Sequence, residues 1–282
     1  RAYAAVLLSD GKVLVAGMCF DCGPTIGGDT FIARYTATGS LDTMFATNGW
    51  ALFDAVEGGT DYDYATAMAV DGLGRILVGG AAGSSPDDLP YVARRLASGA
   101  VDPSFAGSDG IRTLTALAAQ HVTDLAVEPA SNRAVVSTGE RQNLPPETCA
   151  IARLRDTGSL DTTFSGDGIV PLTVEEGSNL HSIQLQSDGK IVAVGSLDPD
   201  LSSVEGFLLV RLLANGTLDS TFDDDGRKSV EFDLDSNGQD SAIAMALVGG
   251  RVVGVGFAVD GGVNQVALYR GQSALVFSDG FE

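Results

Sequence analysis

The chain has 282 residues, 44% of them hydrophobic, and carries 37 acidic against 17 basic residues for a formal charge of −20. That length suits two ordinary domains or one large all-β domain, and the hydrophobic share supplies a sizeable core. The charge repels phosphate backbones and anionic membrane surfaces with no basic stripe to offset it, and no apolar run nears the ~20 residues of a membrane span, so neither nucleic acid nor membrane insertion is expected.

In chain order, no charged-then-apolar leader opens the sequence. Because Arg1 is not a start methionine, we expect a processed or trimmed chain with sequence upstream. Tyr3 precedes a short apolar run, and "DGKVLVAG" (Asp10 to Gly17) follows. Asp-Gly between two apolar runs is a strong hairpin signal, because both central positions favour φ > 0. The second strand runs into "CFDC", Cys19 to Cys22. A lone C-x-x-C is weak evidence for zinc, so a small loop disulfide (favoured if the chain is exported), two free thiols and a metal site all stay open. Next comes "ARYTATGSLDTMF", Ala33 to Phe45, with an arginine, an aspartate eight residues later and a phenylalanine three beyond.

That stretch returns as "ARRLASGAVDPSF", "ARLRDTGSLDTTF" and "VRLLANGTLDSTF". Arg34, Arg94, Arg153 and Arg211 precede Asp42, Asp102, Asp161 and Asp219, which lie 60, 59 and 58 residues apart; Phe45, Phe105, Phe164 and Phe222 follow in step. The hairpin landmark recurs in phase as "LGRILVGG", "SNRAVVSTG", "DGKIVAVG" and "GGRVVGVG". Each unit reads as four short antiparallel strands, a to d, in ~58 residues, the period and strand count of a propeller blade. The expected fold is therefore all-β: one β-propeller domain over residues 1–282, with units near 1–59, 60–118, 119–178, 179–237 and 238–282. The fifth unit lacks the Gly-x-Leu-Asp turn, so we expect about five blades with the last incomplete, its outer strand supplied from upstream or by Ala274–Phe277. Cys149 sits in an apolar run and reads as a small buried hydrophobe.

The pairing of "SDGKIVAVG" with "RLLANGTLDSTFDDDG" resembles the delta-60 repeat, a bacterial repeat assigned to propellers. The resemblance covers nearly the whole chain. It implies export or a cell-surface location in bacteria and no defined activity, while the ending "FSDGFE" resembles C-terminal tails of exported proteins of some gammaproteobacteria, which implies a Gram-negative host.

Topology sorts the candidate sites. The a–b and c–d turns share one end of a four-stranded blade. Four equivalent Arg/Asp pairs there cannot converge on one substrate, so the repeated Arg, Asp and Phe are expected to clasp the turn, the arginine reaching the aspartate as a charge-assisted hydrogen bond. The b–c and d–a connections at the other end are irregular, as binding surfaces on regular scaffolds usually are. Tyr3, Tyr64, His121, His181 and Asp240 precede the innermost strands on that end and are expected to ring the mouth of a central channel. "DLDSNGQD" places Asp233, Asp235 and Asn237 at the first, third and fifth positions with glycine sixth, as in a calcium loop. The twelfth position is Ala244, which lacks the bidentate carboxylate, so calcium, held with Asp240, is the one candidate cofactor and a polar turn is the alternative.

Nucleophile elbows, phosphate loops and H-E-x-x-H are absent. The expectation is a non-catalytic exported or cell-surface module that binds a protein or glycan through its irregular face, in an oligomeric state the sequence leaves open. A structural surface scaffold, or a hydrolase or lyase using the Tyr, His and Asp at the channel mouth, are the alternatives.

Overall fold

The computed structural model describes residues 1–22, 27–53, 62–83, 88–117, 121–139, 149–172, 178–197, 206–232, 240–271 and 273–277. Among them every regular element is a β-strand, and no helix is long and apolar enough to cross a membrane. The chain divides into two compact units, Arg1–Val136 with Leu154–Leu160, and Ser137–Arg153 with Asp161–Glu282.

Five four-stranded sheets follow one another, one per repeat, each with its strands adjacent in chain order. The first has β1 (Ala2–Leu7), β2 (Val13–Phe20), β3 (Gly28–Tyr35) and β4 (Trp50–Phe53). The second has β5 (Tyr64–Val70), β6 (Ile76–Ala82), β7 (Leu89–Arg95) and β8 (Ile111–Thr113). The third has β9 (His121–Val127), β10 (Ala134–Gly139), β11 (Cys149–Leu154) and β12 (Ile169–Leu172). The fourth has β13 (Asn179–Leu185), β14 (Ile191–Leu197), β15 (Gly206–Leu212) and β16 (Arg227–Val230). The fifth has β17 (Ser241–Val248), β18 (Arg251–Asp260), β19 (Val263–Arg270) and β20 (Ser273–Phe277).

The fifth sheet is complete rather than short of a strand, and of the two expected sources of its outer strand Ala274–Phe277 supplies it: β20 pairs antiparallel with β19, Leu268 opposite Leu275. The missing motif belongs to the turn, and a tight connection at Gly271 (φ 58°) joins the strands without it. The hairpins behave as their chemistry requires. Gly11, Gly74 and Gly189 have φ near +80° (82°, 78° and 82°), and Asn132 takes φ 53° where "SNR" replaces the glycine. Asparagine tolerates that left-handed conformation better than most residues do.

In the second, third and fourth sheets the two middle strands are buried on both faces, as in β6, and therefore read as continuous apolar runs rather than alternating ones. In the first unit Leu14, Ile32, Phe45, Phe53, Ile76, Val78 and Tyr91 form one core. In the second, Val192, Val194, Phe207, Leu209, Met245 and Tyr269 form another. Cys149 is fully buried, as a small hydrophobe would be.

A repeated β-bulge sits near the start of the first strand. The register slips between Ala2 and Ala4, Ala65 and Ala67, Leu180 and Ser182, and Ala242 and Ala244. Tyr3, Thr66, His181 and Ile243 are thus the extra residues. The bulge drives the preceding carbonyl against the second strand, and only glycine fits opposite it. A Cβ on Gly17, Gly80, Gly195 or Gly256 would overlap the carbonyl oxygen of Arg1, Tyr64, Asn179 or Ser241. The last glycine of the hairpin landmark is a consequence of this approach. Gly195→Ala is expected to cost more than about 2 kcal/mol in urea unfolding. Gly166→Ala, where φ is +96° but a Cβ would meet nothing within 4 Å, should cost only the left-handed penalty of about 1–2 kcal/mol; equal losses would refute the steric account.

Candidate functional site

At the hairpin end of each of the first four sheets the repeated arginine sits in a fixed set of partners. Its Nε donates to the aspartate of its own turn: Arg34 to Asp42 at 2.9 Å, Arg94 to Asp102 at 2.8 Å, Arg153 to Asp161 at 2.9 Å and Arg211 to Asp219 at 2.8 Å. The guanidinium lies over the phenylalanine of the same turn, 4.6–4.7 Å from the centroids of Phe45, Phe105, Phe164 and Phe222. Phe45, Phe105 and Phe164 are fully buried, whereas Leu41 and Val101 of the same turns stay exposed.

The other nitrogen leaves the sheet. In the first unit Arg34 Nη1 donates to the Ala97 carbonyl at 2.9 Å and Arg94 Nη1 to the Asp156 carbonyl at 2.6 Å; in the second, Arg153 Nη1 donates to Ala214 at 2.6 Å. The acceptor each time is three residues past the next repeat's arginine. Beside it runs a backbone bond from the residue after the phenylalanine: Ala46 to Ser98 at 2.7 Å, Ala106 to Thr157 at 2.9 Å, and Ser165 to Asn215 at 2.8 Å. Gly99, Gly158 and Gly216 pack so closely on Phe45, Phe105 and Phe164 that a Cβ would fall within about 3 Å of each ring. The motif therefore joins neighbouring sheets as well as closing its own turn.

The aspartates are surrounded by donors. Lys12 and Lys190, from the a–b hairpins, lie 3.1 Å from Asp42 and Asp219. The Thr221 hydroxyl donates to Asp219 at 2.6 Å and its amide at 3.1 Å. The Lys12 ammonium, with the Met44 amide and Arg34, holds the Asp42 carboxyl below the usual range against the opposing effect of burial. Burial pushes Asp102 upward, but the Ser104 hydroxyl and amide and the Arg94 guanidinium outweigh it and leave that carboxyl lowered too. Thr221 foremost, then Lys190 and Arg211, do the same for Asp219. With every carboxylate occupied in this way, these repeated pairs have no capacity left for acid–base chemistry.

The opposite strand ends carry the other candidates. Tyr3 is a bulge residue, 48% exposed; His181 is also a bulge residue, partly buried, with burial holding its imidazole pKa below the ordinary value. Tyr64 and His121 instead open β5 and β9, and Asp240 lies one residue ahead of β17. The five do not share one register. By strand pairing Tyr64 corresponds to Asn179 and Ser241, each the residue just before the bulge's first partner. The bulge adds a residue that alignment on apolar runs does not see. Burial, with Asp88 and Tyr3 close by, pushes the Tyr64 phenol up to about 12. Asp240 is buried and accepts the Phe232 amide on Oδ2 at 2.8 Å, a structural tie.

Asp233, Asp235 and Asn237 of the candidate calcium loop lie outside the described residues, as do most of the irregular connections. Among the described residues no group of three or more His, Cys, Asp or Glu is arranged to hold a metal ion. Cys19 and Cys22 form a disulfide, which closes the loop after β2. Beside it Phe20 meets Tyr62 edge to face at 6.1 Å, with the Arg1 guanidinium 6.0 Å from the Phe20 ring. Phe20 and Tyr62 are 48% and 52% exposed. Sequence reasoning passed over this pair; the signal was an aromatic enclosed between two cysteines and another in "DYDY".

The meandering four-stranded sheets and the comparisons together make this chain a β-propeller protein. Residues 74–105 and 186–222 match the family described as "Domain of unknown function (DUF5122) beta-propeller". No curated protein matches the chain in sequence. Among solved structures it is similar to a glucose dehydrogenase, at 10% identity and a TM-score of 0.51, covering 95% of this chain and 81% of that one. A GH74 xyloglucanase from Xanthomonas campestris is 13% identical with a TM-score of 0.48, covering 94% of this chain and 36% of the enzyme. A GH43 endo-arabinanase from Bacillus licheniformis is 14% identical with a TM-score of 0.42, covering 94% and 91%. At 10% identity the likeness to the glucose dehydrogenase shows the fold alone, and the other two add nothing to it.

The lowered aspartates fix the sign of the pH dependence. A carboxyl whose folded pKa lies below its unfolded value adds stability that is complete above the unfolded pKa and disappears as pH falls through the folded one. Thermal midpoints followed by circular dichroism are expected to be flat from pH 7 to about 5 and to fall progressively below about 4. Asp219→Asn should melt lower at pH 7 yet lose less on acidification than the parent, because one titrating group has been removed; an unchanged acid limb would contradict this.

Proposed function

We propose that this chain is a non-catalytic, exported binding module of the delta-60 repeat type, which takes a protein or glycan partner on the end bearing its irregular connections. The observation that carries this reading is the exposed aromatic group in the first unit. Tyr3, Phe20 and Tyr62 lie at the strand ends away from the clasped turns and are 48%, 48% and 52% exposed. Large aromatics left half in water are the residues that contribute most when a partner covers them. The Cys19–Cys22 disulfide beside them supports export, since such bonds persist in oxidising compartments. It also pre-orders the loop that presents Phe20, which lowers the entropy lost on binding.

The clasped end supports the same division. Its repeated Arg–Asp pairs are consumed in holding turns together and are not themselves groups offered to a partner. A hydrolase centred on Tyr64, His121 or His181 would differ in a measurable way, by turning substrate over.

Arrays of polysaccharides and peptides would test the reading. The double variant Phe20→Ala/Tyr62→Ala is expected to melt within about 3 °C of the parent, as exposed substitutions generally do, and to lose bound ligands by about tenfold or more. Turnover of a sugar or ester substrate that falls when His121 or His181 is replaced would overturn it in favour of an enzyme.

A further inference from the structure

Four copies of one motif provide an internal standard: a residue that departs from its counterparts at a well-packed position calls for an explanation. Two departures in the first unit converge on one place. The residue after the clasp arginine is paired across its own turn in every copy, as Tyr35 with Leu41, Arg95 with Val101, Leu154 with Leu160 and Leu212 with Leu218. Three copies carry a large, mainly apolar side chain there, and the second carries Arg95. At the first residue of the outer strand, the pairing partners of Ala33, Ala93, Ala152 and Val210 are Trp50, Ile111, Ile169 and Arg227. Trp50 is the one tryptophan of the chain.

Arg95 is a poorly compensated cation. It is only 7% exposed, and its Nε is buried with no hydrogen-bond partner among the described residues. Its guanidinium lies 4.2 Å from the centroid of the Phe53 ring, which offsets part of the lost hydration. Burial lowers its pKa, with Asp109 acting only through space in the opposite direction. A buried guanidinium whose donors are not all used is costly. Replacement by leucine, as in the third and fourth copies, would remove that cost.

Arg95 and Trp50 line the same groove, a cavity of about 670 Å³ between the outer strand of the first sheet and the turn of the second. Its volume is in the range of small-ligand sites. Trp50 is 37% exposed and Met44 86% exposed at the rim, so an apolar ring face has a platform. Thr47, Asn48 and Ser98 bring hydroxyl and amide groups to the walls.

We propose that this groove is a carboxylate-binding subsite for a hexuronic acid residue of a saccharide, with Arg95 receiving the carboxylate and Trp50 stacking on the sugar ring. A guanidinium fork matches a carboxylate in shape and charge. One buried cation balances a monoanion; a dianionic phosphate would leave a negative charge in a protein whose net charge is already −20. The polar walls suit a polyol, which distinguishes a sugar acid from a plain fatty or amino acid. The groove lies at the clasped end of the first unit's strands, so it does not depend on the exposed Phe20 and Tyr62 group.

The test uses the full chain and D-glucuronate as probe, with binding followed by calorimetry and by the fluorescence of Trp50, the single tryptophan. D-Glucose and acetate are run in parallel. Saturable binding of glucuronate with Kd on the order of 1 mM is expected, with glucose and acetate at least about tenfold weaker. Arg95→Leu is expected to abolish glucuronate binding while leaving the melting temperature equal or higher. Asn48→Gly, which suits the positive φ of 57° at that position, is expected to fold normally and weaken glucuronate several-fold. Absence of saturable binding up to about 50 mM glucuronate, equal binding of glucose, or an Arg95→Leu protein that binds like the parent would each overturn the proposal. So would an Arg95→Leu protein of lower stability, since Arg95 would then be serving the fold.

Discussion

One guanidinium per repeat carries the constraint on which the rest of this architecture depends. It must reach the aspartate eight residues on, lie flat on a phenylalanine three residues further, and in three of four copies donate to a carbonyl about 60 residues away. These demands are geometric, and they explain the sequence around them. The turn has fixed length because the arginine has fixed reach. The aspartate recurs because a buried guanidinium needs a paired anion, and truncating either partner of such a pair typically costs about 3–5 kcal/mol. The glycine five residues after the arginine recurs because the preceding sheet's phenylalanine occupies the space of a side chain. Gly39, in the first sheet, would meet nothing within 4 Å, which separates the two requirements on this residue: a left-handed φ of +83° everywhere, close packing only where a preceding ring is present.

Much of this was legible in the sequence, and what was missed has common causes. The strands, hairpins and clasped turns announce themselves because their chemistry is local: Asp-Gly for the hairpin, Arg and Asp at constant spacing for the turn. The sheet-to-sheet half of the clasp was hidden because its acceptors are backbone carbonyls, those of Ala97, Asp156 and Ala214, which any residue supplies. The bulge was hidden for a related reason. It adds one residue to the first strand and displaces Tyr3 and His181 from the register of Tyr64, yet leaves the apolar pattern intact. The glycine opposite was its only trace. The outer strand of the fifth sheet was legible at Ala274–Phe277 only as one of two sources, because the turn motif that precedes the other outer strands is absent there.

The clasp also ends somewhere. The fifth repeat drops the turn that would accept from Arg211, and among the described residues Arg211 makes its Asp219 and Thr221 bonds without a carbonyl beyond them. Its side chain is the most exposed of the four, at 19% against 14%, 1% and 5% for Arg34, Arg94 and Arg153. A groove of about 430 Å³ lined by Arg211, Phe222 and Tyr269 lies there. Arg211 thus keeps the Asp219 half of the clasp while lacking, among the described residues, the carbonyl that the next turn supplies to the other three.

Redundancy of this kind changes where function should be sought. A single catalytic pair is singular in its protein, whereas a pair repeated on a constant spacing and saturated with donors belongs to the scaffold. The informative positions are the exceptions to the repeat. Arg95 stands where two other copies place leucine, and among the described residues its Nε lacks a counterpart of the aspartate that receives Arg94 Nε one residue earlier. The same residue type, adjacent in sequence, is fully bonded in one case and left with a buried unbonded nitrogen in the other. The third and fourth copies show that leucine is accommodated at that position, and this contrast between the two arginines is the observation on which the proposed carboxylate subsite rests.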